Sequence, residues 1–193
     1  MSEKKKNLKG KIEVICGSMF SGKTEELIKR VNKVAFEKEK FIVFSPKKDL
    51  RNPNGKISSH AKNIISSNVV EKSNDIFNLV KDHSVIAIDE GQFFDQGLVD
   101  VCNKLANKGH RVIVAGLDMD YKGIPFGPMP NLMACAEEVT KVHAICVETG
   151  DQAGYSFRKN INEDLIMVGE KDDYEPLSRG AFMRKMTERK KNL

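Results

Sequence analysis

The segment Gly17-Ser-Met-Phe-Ser-Gly-Lys-Thr24 leaves a chain like this few folds to choose from. It matches the GxxxxGK[ST] pattern, follows a β-branched run at Lys11–Cys16 that reads as a strand, and opens a segment with Leu27, Ile28, Val31 and Val34 at helical spacing. Strand, glycine loop and helix in that order make a phosphate cradle, because the glycines let backbone N–H groups curl around a polyphosphate at the positive end of a helix dipole. Lys23 then reaches the β- and γ-phosphates and the Thr24 hydroxyl ligates Mg²⁺. The pattern predicts an enzyme that uses Mg-ATP, with Gly17, Ser18, Met19, Phe20, Ser21, Gly22, Lys23 and Thr24 on the nucleotide.

Downstream, strand and helix signals alternate. Phe41–Phe44, Val69-Val70, Val85–Ile88 and Arg111–Gly116 read as strands. One helix is predicted from an N-cap at Ser73, with Asp75 in its first turn, to about Lys81, and another through Leu98, Val101, Cys102 and Leu105 to near Gly109. The polar stretch Lys47–Asn63, with Asn52-Pro53-Asn54-Gly55 turn signals, reads as a long loop. After Thr140 the pattern shifts to short strands at Ala144–Glu148, Tyr155–Arg158 and Ile166–Val168, and the charged tail from Arg179 reads as a frayed helix. The expected fold is α/β, a P-loop NTPase-like parallel sheet flanked by helices, with a small β-rich lobe at the C-terminal end. The expected division is a basic tail at 1–11, the α/β domain at 12–140, the small lobe at 141–182 and a basic tail at 183–193.

The strand Val85–Ile88 delivers two adjacent carboxylates, Asp89 and Glu90. Such a pair is weak evidence alone, but behind a phosphate loop Asp89 can hold Mg²⁺ while Glu90 takes a proton from an attacking hydroxyl or orients water. None of His60, His83, His110 and His143 stands in a catalytic pattern.

Composition narrows the class further. With 193 residues and 40% hydrophobic content, the chain can bury one substantial core. Its longest apolar runs fall far short of the roughly 20 residues of a membrane span. The N-terminus lacks the apolar stretch of a signal peptide, so the expected location is the cytoplasm, with no membrane partner. Four widely spaced cysteines predict free thiols. Residues 1–11 carry +4 and residues 179–193 carry +5, which leaves −4 for the middle of a chain whose total is +5, and this argues against a nucleic-acid partner.

Three segments in shared order suggest a family: the Gly17–Thr24 loop, Asp89-Glu-Gly-Gln-Phe-Phe94, and Leu117-Asp-Met-Asp-Tyr-Lys-Gly-Ile-Pro-Phe-Gly127. With Lys48-Asp49-Leu50-Arg51 and Tyr155-Ser156-Phe157-Arg158 they resemble the cytosolic (type II) thymidine kinases from about Ile12 to Phe182. The resemblance implies transfer of the ATP γ-phosphoryl group to the 5′-hydroxyl of thymidine in nucleotide salvage, with Glu90 as catalytic base. It also implies nucleotide or metal contacts at Asp49, Leu50, Arg51, Asp89, Glu90, Gly91 and Gln92. Tyr121 stands beside the thymine site where the family usually has Phe, and Leu165, Ile166, Met167, Val168, Gly169 and Tyr174 match the substrate-holding lasso. Met19, Leu117 and Ser156 are further pocket candidates. A homotetramer and inhibition by dTTP are the family's habit. The chain departs from the family at zinc: of four cysteine ligand positions only Cys146 is kept, while Thr149, Ser178 and Ala181 fill the others, so no zinc is expected. Two other classes remain at this stage. One is a regulatory nucleotide-binding module, against which Lys23, Thr24, Asp89 and Glu90 all stand; the other is an ATPase acting on nucleic acid through the basic tails.

Overall fold

Runs of apolar, β-branched residues separated by helical crossovers bring successive strands back in the same direction. A computed structural model describes residues 10–49, 55–58, 64–160 and 173–191. In chain order its elements are β1 (Lys11–Cys16), α1 (Lys23–Phe36), β2 (Phe41–Pro46), β3 (Lys56–Ser58), β4 (Ile64–Ser66), β5 (Asn68–Val70), α2 (Ser73–Leu79) and β6 (Val85–Ile88). A 3-10 turn at Gly91–Phe93 follows, then α3 (Leu98–Asn107), β7 (Arg111–Gly116), α4 (Met129–Cys135), β8 (Glu138–Lys141), β9 (Ala144–Ile145), β10 (Gln152–Ala153), β11 (Tyr155–Arg158), β12 (Tyr174–Leu177) and α5 (Arg179–Lys191).

Six strands form one sheet in the order β5-β2-β6-β7-β1-β8, with every pairing parallel. Side chains alternate between its faces. Val14, Ile86, Ile88, Val112 and Val114 pack under α2, α3 and α4 through Ile76, Leu98, Val101, Leu105, Met129 and Leu132. Ile15, Val43, Val85, Ala87, Ile113 and Ala115 meet Leu27, Ile28, Val31 and Val34 of α1, and Ile57 of β3. Each buried Val, Leu, Ile or Met among them stabilises the fold by about 1.5–3 kcal/mol. Coverage of both faces is why the inner strands read as unbroken apolar runs.

Several sequence-based expectations are corrected. The stretch Lys47–Asn63 is not all loop, because β3 pairs antiparallel with β4 and buries Ile57 against α1. The N-cap of α2 is Lys72, and Ser73 is its first helical residue, with both its N–H and its hydroxyl given to Asp95. That helix stops at Leu79, short of Lys81. The predicted strand Ala144–Glu148 is paired only over Ala144–Ile145, since a turn closes at Gly150. The charged C-terminal segment is a docked 13-residue helix and not a frayed end, anchored by buried Ala181 and Phe182. It crosses the expected 182/183 boundary. The strand proposed at Ile166–Val168 lies outside the described residues. The elements α4, β8 and β12 carry little periodic signal in the sequence, each being seven residues or shorter.

One charged residue breaks the apolar run of β1. Glu13 is buried at the centre of the strand and receives Arg111 Nε at 2.6 Å, Arg30 Nη1 at 2.7 Å and Lys11 Nζ at 2.6 Å. Burial alone would raise its pKa, but hydrogen bonds from Arg111 and Lys11 outweigh that and bring it from 4.5 to about 2. Because the folded value lies below the unfolded one, the stabilisation is complete above the ordinary carboxylate range and is lost as pH falls from 4.5 towards 2. Glu13→Gln, which takes this carboxylate from Arg111 while Arg30 and Lys11 keep Glu138, should cost about 1–3 kcal/mol at neutral pH. In urea melts the gap between variant and parent should narrow as pH falls towards 2; a gap independent of pH would refute this account.

Candidate active site

The loop between β1 and α1 curls because its glycines adopt angles other residues avoid. Gly17 has φ 147°, and a Cβ there would stand 2.1 Å from the carbonyl oxygen of Val142, while Gly22 enters α1 at φ 85°. Lys23 Nζ donates to the Ser18 carbonyl at 2.7 Å, and so does Ser21 Oγ at 2.7 Å, so the ammonium lies inside the loop. Phe20 adopts φ 63°, a left-handed conformation that a bulky residue holds only where its surroundings impose it.

Strand β6 ends beside this loop. Thr24 Oγ1 lies 3.3 and 3.4 Å from the two carboxylate oxygens of Asp89. The next residue, Glu90, is left-handed at φ 52° and turns the chain into the 3-10 helix. Gln92 then connects two strand ends: its Nε2 donates to Glu90 Oε2 at 2.5 Å, and its Oε1 accepts the Leu117 N–H at 2.8 Å. Asp49 is buried just past β2, with its N–H on the Pro46 carbonyl at 3.0 Å. Leu50 and Arg51 lie outside the described residues. The structure thus gathers the loop, Asp49, Asp89, Glu90, Gly91 and Gln92 at the carboxyl ends of β1, β2 and β6, where open α/β sheets bind ligands.

A turn after β7 forms the neighbouring wall. The Asp120 carboxylate accepts the N–H groups of Lys122 at 2.8 Å and Ile124 at 2.9 Å, which fixes the buried Tyr121 between them in the chain. The Arg158 guanidinium stands 3.8 Å from the centroid of the Tyr121 ring, and its Nε donates to the Tyr174 hydroxyl at 3.0 Å. Strands β10 and β11 also touch the loop, since Ser18 Oγ donates to the Ala153 carbonyl at 3.1 Å and Met19 N–H donates to Ser156 Oγ at 2.9 Å. The structure therefore brings Tyr121 and Tyr174 together, whereas Leu165, Ile166, Met167, Val168 and Gly169 lie outside the described residues. Sequence reasoning gave Asp120 and Arg158 no role. The signal for Arg158 was an arginine two residues beyond Ser156 in a short strand whose other two residues are aromatic.

A family model described as thymidine kinase matches residues 10–182. The chain belongs to the thymidine kinase family. It is 53% identical to a thymidine kinase of Bacteroides fragilis over 180 residues, covering 93% of this chain and 90% of that protein. A thymidine kinase of Bacteroides thetaiotaomicron is 51% identical over 176 residues, covering 91% and 88% respectively. One from Rhodothermus sp. is 49% identical over 173 residues, covering 90% and 81%.

The positions at which the family resemblance implies zinc ligands hold Cys146, Thr149, Ser178 and Ala181 in this chain. Among the described residues no group of three or more His, Cys, Asp or Glu could hold an ion. Burial would raise the pKa of Cys146, but the Thr149 hydroxyl and the backbone N–H groups of Ser178, Glu148 and Thr149 outweigh it and hold the thiol at about 6. Two of the family's ligand positions thus present donors to the sulfur where zinc would need electron pairs. The lobe is closed otherwise: Tyr155 stacks on Phe182 at 4.5 Å over Leu177 and Ala181, and Lys185 of α5 pairs with Glu148 at 3.1 Å and Glu175 at 2.5 Å. The other two buried thiols are pushed the other way by burial, Cys16 up to about 11 and Cys102 higher still. Thiolate absorbance should therefore show a titration near pH 6 that Cys146→Ser abolishes. Its persistence in the variant would contradict the assignment.

Proposed function

We propose that this chain transfers the γ-phosphoryl group of ATP to the 5′-hydroxyl of thymidine, giving dTMP and ADP in nucleotide salvage. The observation that carries the reading is the group of four residues where β6 ends beside α1: Thr24 facing Asp89, and Glu90 held by Gln92 against the end of β7.

In this reading Lys23 leaves the Ser18 carbonyl for the β- and γ-phosphates, and loop N–H groups from Gly17 to Thr24 surround them. The Thr24 hydroxyl and Asp89 carboxylate fit Mg²⁺ in chemistry and separation, and the ion when bound neutralises phosphate charge. Glu90 accepts the 5′-hydroxyl proton as that oxygen bonds to γ-phosphorus and the bond to the ADP oxygen breaks. Gln92 keeps the Glu90 carboxylate aimed, Asp49, Leu50 and Gly91 line the nucleotide, and Arg51 offsets phosphate charge. Tyr121 and Tyr174 flank the thymine ring, whose edge meets the backbone of Leu165–Gly169. The α/β domain (12–140) thus carries the chemistry and the lobe from 141 holds the nucleoside. No zinc is required, because α5 and the apolar cluster close the lobe.

With Mg-ATP and thymidine the protein should form dTMP, and Glu90→Gln should bind ATP yet turn over about 10²–10⁴-fold more slowly. ATP binding without dTMP from the parent protein would defeat the reading. Metal analysis of that active sample should find far less than one zinc per chain; stoichiometric zinc would reverse that point.

By family habit the chain acts in the cytoplasm as a homotetramer inhibited by dTTP at the same site. Light scattering should give four chains per particle and excess dTTP should suppress turnover. A monomer, or undiminished turnover, would overturn the respective statement.

A further inference from the structure

Strand β11 has two faces with different tasks. Tyr155 and Phe157 point into the apolar cluster with Phe182. Ser156 and Arg158, two residues apart and so on the opposite face, look towards the phosphate loop and the Tyr121 turn, as the bond from Met19 N–H to Ser156 and the 3.8 Å approach of Arg158 to the Tyr121 ring show. Arg158 is 1% exposed and ranks among the largest fully buried side chains. Burying a guanidinium carries a large desolvation cost, so its placement calls for compensating contacts.

Two tyrosines are among those contacts. Across the β11–β12 pair Arg158 lies directly opposite Tyr174, so both side chains project from one face, and Arg158 Nε donates to the Tyr174 hydroxyl at 3.0 Å. The same guanidinium covers the Tyr121 ring. Tyr121 itself is carried by a turn whose backbone Asp120 holds, and the Arg158 guanidinium at 3.8 Å lies closer to its ring centroid than the Lys122 ammonium of that turn at 5.4 Å. From behind, Arg189 of α5 donates to the Arg158 carbonyl and lies over the Phe157 ring at 4.3 Å, so the helix anchors the strand that presents the arginine.

We propose that Arg158 is the positioning residue of the nucleoside pocket: its guanidinium sets the tilt of the Tyr121 ring and ties it to Tyr174 on the other strand. This rests on the reading of Tyr121 and Tyr174 as the walls of the thymine site. The planar, stacking guanidinium suits the task, whereas a lysine ammonium in its place keeps the charge and loses both the flat stack and the fixed Nε donor.

The test measures thymidine KM, ATP KM and kcat for Arg158→Met and Arg158→Lys, alone and combined with Tyr121→Leu. Thymidine Kd is measured separately by calorimetry without ATP. Arg158→Met should raise thymidine KM and Kd roughly tenfold to a hundredfold, with ATP KM changed less than about twofold, and Arg158→Lys should recover part of the loss. In the Tyr121→Leu background the effect of Arg158→Lys should shrink to less than about twofold, because the arginine acts through that ring. Equal losses for ATP and thymidine, or an undiminished effect of Arg158→Lys beside Tyr121→Leu, would overturn the proposal. Should Arg158→Met fail to fold, the Arg158→Lys cycle alone decides. If thymidine binds without being phosphorylated by the parent protein, the kinase reading fails while the calorimetric cycle still judges Arg158.

Discussion

A parallel sheet must be buried on both faces, and most of this molecule follows from that requirement. Helix α1 and strand β3 cover one face while α2, α3 and α4 cover the other, so the rim where the strands end is left open for polar chemistry. Every strand of the central sheet runs the same way, which sends the residues after β1, β2, β6 and β7 to a common rim. The phosphate loop, Asp49, the Asp89-Glu90 pair and the Tyr121 turn are those residues. Their convergence is a consequence of packing the sheet, and the exchange of hydrogen bonds between them, such as Gln92 joining Glu90 to Leu117, adds alignment to proximity.

Two buried charges show how differently this fold uses ions. Glu13 sits at the opposite end of the molecule's logic from the site: three cations converge on one carboxylate inside β1, and the cluster also draws in Glu138 of the edge strand β8 through Lys11 and Arg30. It binds the sheet together where no ligand is expected. Arg158 is instead a buried cation among aromatic rings, in the segment that links the lobe to the loop. Around Glu13 the charge is met by three cations, and the groups that meet the Arg158 guanidinium include the Tyr121 face and the Tyr174 hydroxyl.

The small lobe depends on the same economy of contacts. It is held by an apolar cluster around Leu177 and Phe182 and by cations of α5 on Glu148 and Glu175. The helix thereby reaches strands β11 and β12, which present Ser156, Arg158 and Tyr174. A segment whose composition suggests a solvated tail thus becomes part of the support for the site.

The sequence by itself determined the phosphate loop, the inner strands, the carboxylate pair and the missing zinc ligands. These are local features: glycine spacing, unbroken apolar runs and ligand counts act within a few residues and carry their meaning without a partner. Only the tertiary structure decided that α5 docks, that β3 pairs with β4 over Ile57, that Ser73 serves Asp95 and does not cap its helix, and that Arg158 bridges Tyr121 and Tyr174. Each of those joins residues whose local preferences are weak, so the outcome rested on burial and on hydrogen-bond partners supplied from elsewhere in the chain, which no window of neighbouring residues contains.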